Sequence, residues 1–315
     1  MYKVEKIKIT FTKAKRKITT ALMALVNEDC KQNMKPSKPP KEHLKRVSIT
    51  SGILGAIAGD SIGAPFEFHS ATKADFDLLS NPKFTDDTVM TLAVAKWLII
   101  DPDHTHEKLV ECMKELGRKY LAAGYGQKFL RWLISQKTEA YNSCGNGSAM
   151  RVSPCGFHAK TLEEALKLAK ISAEVTHNHP EGIKGAQAIA ACIFLARQGK
   201  SKEEIRNYVE ANFDGYNLHR TLQEVKADYQ YEVTCQKSVP ESIICYLEAN
   251  SYEQAIRNAI LLKGDADTMA CMAGAIAAAT PGMDVPIEIA YCIKQKVLDI
   301  TLGTILSDFN EQCNK

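Results

Sequence analysis

The stretch Lys263-Gly264-Asp265-Ala266-Asp267-Thr268 is followed directly by an apolar, alanine-rich run from Met269 to Ala279. A run of this composition predicts a buried helix. Two carboxylates and a hydroxyl therefore lie at the N-terminal end of a core helix, which we call its mouth. Asp and Thr are also ordinary helix caps, and capping is the simpler interpretation of this stretch when it is considered alone.

A second stretch has the same form. Phe84-Thr85-Asp86-Asp87-Thr88 opens another apolar segment, which ends at Ile100. A cap needs one oxygen, whereas each of these mouths gathers three or four. If the fold brings the two mouths together, their four carboxylates would repel one another severely unless a cation lay between them. The all-oxygen donor set favours Mg²⁺ or Mn²⁺ over zinc.

The charge distribution divides the chain of 315 residues into a basic leader and an acidic body. Residues 1–46 contain 13 Lys or Arg against four acidic residues, a net charge of +9, so the rest carries −6 of the total +3. The proline-rich stretch Met34–Lys41 is typical of a linker. We interpret 1–46 as a basic N-terminal extension and linker, and 47–315 as one domain. A solvated tail is the favoured interpretation of the extension, with a weak nucleic-acid contact open.

The cysteines and the apolar segments indicate the compartment. The 10 cysteines are scattered and form no Cys-x-x-Cys pair, which is typical of reduced, buried thiols. No apolar run approaches the roughly 20 residues that span a bilayer, and no signal-peptide pattern is present. We therefore expect a monomer without a membrane partner in the cytoplasm, or in the nucleus of a eukaryotic host.

From Val47 onward the apolar residues recur with helical periodicity, and the alternation of strands and helices typical of an α/β sheet is missing. The first helix is expected to end at Gly59-Asp60. The sequence predicts an all-α fold. The other predicted helices are 86–100, 106–123, 126–137, 161–174, 181–198, 202–212, 240–249, 252–262, 268–280, 286–298 and 300–310.

Two of the polar stretches between these helices suggest acid–base chemistry and phosphate binding. Glu67 lies between two phenylalanines, where desolvation would raise its pKa, although an exposed loop glutamate fits the sequence equally well. Gly145-Asn146-Gly147-Ser148 enters a short helix and exposes backbone N–H groups that suit a phosphate, and Arg151 could add a fork of donors. A turn without a ligand is the commoner case.

The last polar stretch is Thr176-His177-Asn178-His179-Pro180-Glu181-Gly182. We favour a loop that hydrogen-bonds a substrate over a metal site, because zinc sites usually need three or four ligands. Together, the polar stretches suggest hydrolysis or transfer on a phosphorylated, hydroxyl-bearing substrate.

The order of these motifs, from Gly59-Asp60-Ser61-Ile62-Gly63-Ala64-Pro65-Phe66-Glu67 to Gly264–Thr268, resembles that of the ADP-ribosylglycohydrolases over roughly residues 48–310. This family includes the dinitrogenase reductase-activating glycohydrolase and the vertebrate ADP-ribosylhydrolases. The resemblance implies a compact orthogonal all-α bundle with a central cleft that holds a binuclear Mg²⁺ or Mn²⁺ site.

The resemblance also implies roles for individual residues. The implied metal ligands are Thr85, Asp86, Asp87, Asp265, Asp267 and Thr268. Glu67 is implied as the catalytic residue, with Asp60 in a supporting position beside it. The implied substrate contacts are Gly145, Asn146, Gly147, Ser148 and His177, to which we add Arg151. Lys263 departs from the family, which usually has a glycine at this position, and we consider a contact with the substrate diphosphate there.

The expected function is metal-dependent hydrolysis of the glycosidic bond between ADP-ribose and an acceptor, reversing ADP-ribosylation. A catalytically inactive relative that binds ADP-ribose or has a structural role stays open. So does a Mg²⁺-dependent nucleotide phosphohydrolase. The sequence does not identify the acceptor, because arginine, serine, a nucleic-acid base and O-acetyl-ADP-ribose would present the same ADP-ribose to the cleft.

Overall fold

The computed structural model describes residues 52–69, 71 and 74–313. These residues form helices joined by loops without a β-strand among them, which confirms the all-α class; one isolated antiparallel bridge joins Gly145 to Thr234. The α-helices, numbered in chain order, are α1 Gly52–Gly63, α2 Asp86–Ile100, α3 His106–Lys119, α4 Gln127–Ile134, α5 Gly147–Met150, α6 Ser153–His158, α7 Leu162–Glu174, α8 Pro180–Arg197, α9 Lys202–Asn212, α10 Leu222–Asp228, α11 Cys235–Leu247, α12 Tyr252–Leu261, α13 Ala266–Ala279, α14 Ile287–Cys292 and α15 Ile300–Cys313.

Helices α1 and α13 run antiparallel in direct backbone contact. Gly55, Gly59 and Gly63 recur every four residues and so form one stripe along α1. A Cβ added at Gly55 would lie 2.6 Å from the Gly274 carbonyl oxygen, and one at Gly63 would lie 2.6 Å from the Ala266 carbonyl oxygen. Because only hydrogen fits at these positions, the C-terminal end of α1 is held against the N-terminal end of α13.

The apolar helix α13 forms the centre of the core. Nearly all of its residues are buried, and it packs against α1, α8, α11 and α12. A helix that is apolar on every side must be enclosed on every side. Outer helices differ: in α3, Leu109, Cys112 and Met113 are buried, while charged residues occupy the exposed positions. The mouth of α13 therefore lies inside the domain.

Helix starts distinguish capping residues from residues available for chemistry. Thr85 caps α2, because its hydroxyl oxygen accepts a hydrogen bond from the Asp87 N–H at 3.3 Å. Asp265 occupies the same position before α13 but makes no such bond, so the capping interpretation is wrong for it. Several outer helices begin with side-chain caps, which are Thr105, Thr161, Ser201, Thr221 and Ser251.

The helix boundaries differ from the predicted ones at several points. The predicted helices 106–123, 126–137 and 286–298 end earlier as α-helices, at Lys119, Ile134 and Cys292. Helix α1 continues to Gly63 instead of ending at Gly59-Asp60, because its glycines serve the contact with α13. Helices α6 and α10 were not predicted, since they are too short for periodicity to be visible. Helix α11 begins at Cys235 instead of residue 240, because Pro240 is accommodated inside the helix.

The predicted basic extension, residues 1–46, lies outside the described residues, as does the predicted helix start at Val47. The nucleic-acid contact considered for this extension stays a prediction. The described residues pack around one hydrophobic core, to which α1 and α13 both contribute. Across 52–69, 71 and 74–313, every helix is too short or too polar to cross a membrane.

Candidate active site

Asp60 joins two of the three helix ends that meet at the site. It lies near the C-terminal end of α1 and is fully buried. Its Oδ1 accepts a hydrogen bond from the Thr85 hydroxyl at 2.6 Å, and its Oδ2 accepts from the backbone N–H of Thr85 at 3.0 Å and of Thr88 at 3.1 Å. The Thr88 hydroxyl also donates to Oδ2. Since both oxygens accept hydrogen bonds from the start of α2, Asp60 holds the mouth of α2 against α1.

Three carboxylates from two distant segments meet beside the mouth of α13. Oxygens of Glu67, Asp265 and Asp267 all lie within 4.8 Å of one another. Asp87, at the mouth of α2, places its Oδ2 in a buried position where no described residue donates a hydrogen bond to it. A buried carboxylate oxygen that accepts no hydrogen bond costs free energy, which a partner at this atom would recover. The two helix mouths are thus brought together, as the sequence predicts.

Burial and mutual repulsion shift the pKa of each of these carboxyls upward. Desolvation, followed by the charge of Asp265, raises the pKa of Glu67 to about 7. Desolvation, followed by the charge of Asp60, raises the pKa of Asp86 to about 8. Burial also raises the pKa values of Asp87 and Asp267 well above their ordinary range, each reinforced by a neighbouring aspartate. Without a cation, the cluster therefore holds protons near neutral pH.

The donor set fits a hard divalent cation. Asp86, Asp87, Asp265, Asp267 and Thr268 line one cleft, and all of them offer oxygen. The orphaned oxygen of Asp87 and the raised pKa values are both relieved when a cation replaces the protons.

Two predicted residues of this cluster take positions that the motifs alone did not indicate. Thr85 stands behind the other predicted ligands, because its hydroxyl is directed at Asp60. Glu67 lies among the metal-site carboxylates, although the sequence separated its role from theirs.

The glycine turn is attached directly to this cluster. The Asn146 side-chain amide donates to Asp265 Oδ2 at 2.8 Å, and the Asn146 backbone N–H donates to the Val233 carbonyl at 2.9 Å. Gly145 and Gly147 line the cleft beside them. The turn predicted to receive a phosphate therefore adjoins the carboxylates, as one continuous wall.

Ser148 is placed beneath this wall. Its side chain is fully buried, and its hydroxyl donates to the Gly182 carbonyl at 2.7 Å. This bond ties α5 to the start of α8. The Ser148 side chain thus lies outside the cleft lining, whereas the prediction was a contact with the substrate.

Arg151 is part of the cleft lining, although its side chain is fully buried. Its guanidinium has no exposed surface, and Nη2 donates to the Ser172 carbonyl at 2.6 Å and to Thr176 Oγ1 at 2.9 Å. Burial lowers its pKa to about 10, so the side chain stays charged at neutral pH. Its Nε and Nη1 have no hydrogen-bond partner among the described residues, so Arg151 places a positive charge in the cleft wall.

His177 faces the glycine turn. Its Nδ1 lies 2.8 Å from Thr176 Oγ1, and its Nε2 would lie 3.0 Å from a Cβ added at Gly147. Burial and the charge of Arg151 lower the pKa of His177 well below its usual range, so the ring is neutral. His179 instead accepts a hydrogen bond from the Glu181 N–H at 3.1 Å. This geometry favours the substrate-binding interpretation over a site in which both histidines hold a metal.

The cleft that these residues line has a volume of about 520 Å³. Several residues of its wall were missed from the sequence, among them Lys128, Tyr141 and Tyr231. Their signal was weak, because each stands in a connection or at a helix start without a recognisable motif. Tyr231 lies within reach of the charges of Asp265 and Glu67. The predicted contact of Lys263 with a substrate is not reflected in the structure, because its side chain is exposed and outside the cleft wall.

Known proteins resemble this chain over most of its length. ADP-ribosylhydrolase ARH3 of Mus musculus is 27% identical to it over 318 positions, which cover 76% of this chain and 85% of the mouse protein. ADP-ribosylarginine hydrolase Tri1 of Pseudomonas putida (strain GB-1) is 23% identical, with 78% of this chain and 72% of the relative covered.

The fold has a counterpart among solved structures. A chain of a structure described as an ADP-ribosylglycohydrolase-related protein complex superposes with a TM-score of 0.65 at 21% identity, covering 86% of this chain and 99% of the other. A sequence model of the family described as ADP-ribosylglycohydrolase matches residues 41–302. Since that match extends over most of the chain, the protein belongs to the ADP-ribosylglycohydrolase family.

Proposed function

We propose that the protein is a hydrolase that uses divalent cations to cleave the glycosidic bond between ADP-ribose and an acceptor. The observation that carries the proposal is the composition of the cleft: a carboxylate cluster adjoins a glycine turn that is backed by the charge of Arg151. Such a wall complements a ligand with a hydroxyl-bearing sugar next to a diphosphate. The relatives named ADP-ribosylhydrolase and ADP-ribosylarginine hydrolase support the same substrate class.

The residues that would hold the cations come from both helix mouths. They are Asp86, Asp87, Asp265, Asp267 and Thr268, whereas Thr85 supports them through its hydrogen bond to Asp60. When bound, two Mg²⁺ or Mn²⁺ ions supply positive charge that neutralises the cluster and attracts hydroxyl oxygens of the substrate sugar. The buried Oδ2 of Asp87, which lacks a donor among the described residues, supports a cation at this position.

Glu67 is the group that moves the proton. In the overall reaction, the oxygen of water bonds to C1″ of the distal ribose, the bond from C1″ to the acceptor breaks, and the acceptor leaves with a proton. Its half-buried carboxylate lines the cleft beside Asp265 and Asp267, where it can accept a proton from water or pass one to the departing acceptor. Neighbouring carboxylates such as Asp265 tolerate the positive charge that develops on the ribose as the bond breaks.

The glycine turn and the residues behind it hold the diphosphate. Gly145 and Gly147 carry no side chain, so phosphate oxygens can approach the turn closely. The N–H groups of Gly145 and Asn146 already donate to Ser143 Oγ and the Val233 carbonyl, so the N–H that would face a phosphate is that of Gly147. Arg151 contributes its charge from within the wall, and a charge in such a dry environment acts over a longer range than one in water. Asn146 fixes the distance between this subsite and Asp265.

The test is the release of free ADP-ribose from conjugates of arginine, serine, a nucleic-acid base and O-acetyl-ADP-ribose. Each conjugate is incubated with Mg²⁺, with Mn²⁺ or with EDTA. We expect release from at least one conjugate with a cation and none with EDTA. Equal release in EDTA would contradict the role of the cations.

Two other outcomes would replace the proposal. Binding of ADP-ribose by calorimetry without release from any conjugate would make the protein an inactive binding relative. Release of inorganic phosphate or AMP instead of intact ADP-ribose would make it a nucleotide phosphohydrolase. Product analysis by mass spectrometry distinguishes these cases in the same reaction mixtures.

A further inference from the structure

We infer that Arg151 and Thr176 are positioning residues which fix the ring of His177 in one tautomer, with its hydrogen on Nε2 and directed at the cleft. The assignment of the ligand as ADP-ribose rests on the proposed function; the assignment of the tautomer does not. The inference gives Arg151 a role other than direct contact with the substrate.

The first step is the hydrogen bond between Arg151 and Thr176. A guanidinium can only donate, so Thr176 Oγ1 accepts from Arg151 Nη2 at 2.9 Å. The same Nη2 donates to the Ser172 carbonyl at 2.6 Å, which fixes the orientation of the guanidinium. Arg151 and Thr176 are both fully buried, so water does not compete for these bonds.

The second step follows from the single hydrogen of the Thr176 hydroxyl. Thr176 Oγ1 lies 2.8 Å from His177 Nδ1, and within the described part of the chain no other acceptor is within reach of that hydroxyl. If Nδ1 carried a hydrogen, the hydroxyl hydrogen would have no acceptor in a dry environment, which is costly. The hydroxyl therefore donates to Nδ1, and the hydrogen of the neutral imidazole is on Nε2.

The charges around the ring favour this neutral form. The guanidinium of Arg151 repels a second positive charge, and burial acts in the same direction on the pKa of His177. Another titratable group beside the ring is Tyr141, whose ring centroid lies 6.0 Å away and whose own pKa is raised by burial to about 12. Both neighbours are therefore compatible with a neutral imidazole over the physiological range.

The third step is the direction of Nε2. This atom faces the glycine turn, where a Cβ added at Gly147 would lie 3.0 Å away and one at Gly145 would lie 3.7 Å away. The described residues give Nε2 no hydrogen-bond partner, so its hydrogen is available to a ligand. A fixed Nε2–H selects an acceptor oxygen, such as that of a phosphate or a ribose, and rejects a donor.

The tautomer is tested directly by ¹⁵N–¹H correlation spectroscopy of the full-length protein with labelled histidine, with His177→Gln used to assign the signals. We expect Nδ1 to be the unprotonated nitrogen and Nε2 the protonated one, with and without Mg²⁺. A protonated Nδ1 in the wild-type protein would overturn the inference. This readout needs no substrate, so its result stands apart from the success of the proposed function.

The positioning role is tested with variants of Thr176. Thr176→Val keeps the shape but removes the hydroxyl. We expect it to mix the two tautomers and to weaken ADP-ribose binding about tenfold by calorimetry, as expected for one lost hydrogen bond. Thr176→Ser should restore both. Thr280→Val removes a hydroxyl at the far end of α13 and should leave the His177 signals unchanged.

Unaltered tautomer signals in Thr176→Val would overturn the positioning role, and so would failure of Thr176→Ser to restore them. If neither the wild-type protein nor the variants bind ADP-ribose, the proposed function is wrong, whereas the tautomer assignment is judged by the spectra alone. In an active enzyme, Thr176→Val should raise KM with little change in kcat, because His177 contacts the ligand away from the scissile bond.

Discussion

The Thr85 hydroxyl donates to the Asp60 carboxylate at 2.6 Å, although the two residues are 25 positions apart in the sequence. This bond fixes the start of α2 against the end of α1 and thereby sets the position of Asp86 and Asp87. We expect Asp60→Asn to lower metal affinity by about 10- to 100-fold, because an amide replaces one acceptor oxygen by a donor. Calorimetric titration of the metal-free variant with Mn²⁺ measures this change.

Asp101 offers a matched control for that variant. Like Asp60, it accepts from a backbone N–H and a hydroxyl at a helix start, in this case those of Thr105 at 2.7 Å and 2.8 Å. It lies at the other end of α2, about 20 Å from the cleft for a helix of this length. Asp101→Asn should destabilise the fold without weakening Mn²⁺ binding. Equal Mn²⁺ affinities in the two variants would argue against a specific role for Asp60.

Glu67 and Asp267 should separate catalysis from metal binding. Glu67→Gln keeps an oxygen ligand but loses the proton-carrying carboxyl, so we expect kcat to fall by about 10²- to 10⁴-fold. Asp267→Asn should mainly lower Mn²⁺ affinity, with activity partly restored at high Mn²⁺ concentration. Kinetics of ADP-ribose release at several Mn²⁺ concentrations distinguish the two effects. Normal turnover by Glu67→Gln would exclude Glu67 as the proton carrier.

The metal-free protein should lose stability as the pH rises. The folded-state pKa values of Glu67 and Asp86, about 7 and about 8, lie above their ordinary values of 4.5 and 3.8. Between about pH 4 and pH 8 the folded state thus binds more protons than the unfolded state, and stability falls through this window by linkage. We expect Tm in EDTA to be lower at about pH 8 than at about pH 5, and Mn²⁺ to reverse that order. Glu67→Gln should reduce the difference measured in EDTA.

Lys263 has a backbone conformation that favours glycine. Its φ is 61°, in the left-handed region, directly after α12. A side chain is strained in this conformation, whereas glycine has extra freedom in the unfolded chain, which opposes the benefit. We therefore expect Lys263→Gly to raise the free energy of unfolding by about 0.5–1 kcal/mol. Thermal unfolding measures it. Lys263→Ala removes the charge but keeps the Cβ, so a gain of the same size in that variant would contradict the conformational explanation.

The glycine stripe of α1 should be intolerant of a methyl group. A Cβ at Gly59 would overlap the backbone of Ala270, so we expect Gly59→Ala to lower the unfolding free energy by about 2–3 kcal/mol or more. Gly303, in α15, has open space around the same position, and Gly303→Ala should raise the unfolding free energy by about 1 kcal/mol through helix propensity. Denaturant titration of both variants tests the contact. A Gly59→Ala variant as stable as the wild-type protein would disprove it.

Local patterns were sufficient to predict most of the fold. Apolar periodicity identified amphipathic helices such as α3, α7 and α12, whereas α13 was recognisable from the length and composition of its apolar run. The pattern gave no indication that Gly59 and Gly63 lie inside a helix, since a glycine that ends a helix and one that permits close packing look alike in a sequence. That distinction depends on α13, which is distant along the chain.

The site could be predicted where the residue types of a single motif indicate its chemistry. Two mouths rich in oxygen predicted a carboxylate cluster, and the structure brings Asp87 and Asp267 into it. The sequence did not reveal which way a side chain points: Ser148 and Arg151 belong to one motif, yet only Arg151 is part of the cleft lining, while Ser148 is buried beneath it. Tyr231 was missed because an aromatic residue in a loop has no distinctive spacing.

The contact between Gly59 and Ala270 has a mechanical consequence. Side chains between two helices act as a compliant layer, because their torsions can adjust when one helix is displaced. At this contact the backbones touch without such a layer, so α1 and α13 form a stiff joint and the spacing between Asp60 and Asp267 is set by the main chain. Any adaptation of the cleft to acceptors of different size must then come from the loops that carry Glu67 and Tyr231, while Asp60 and Asp267 keep their relative positions.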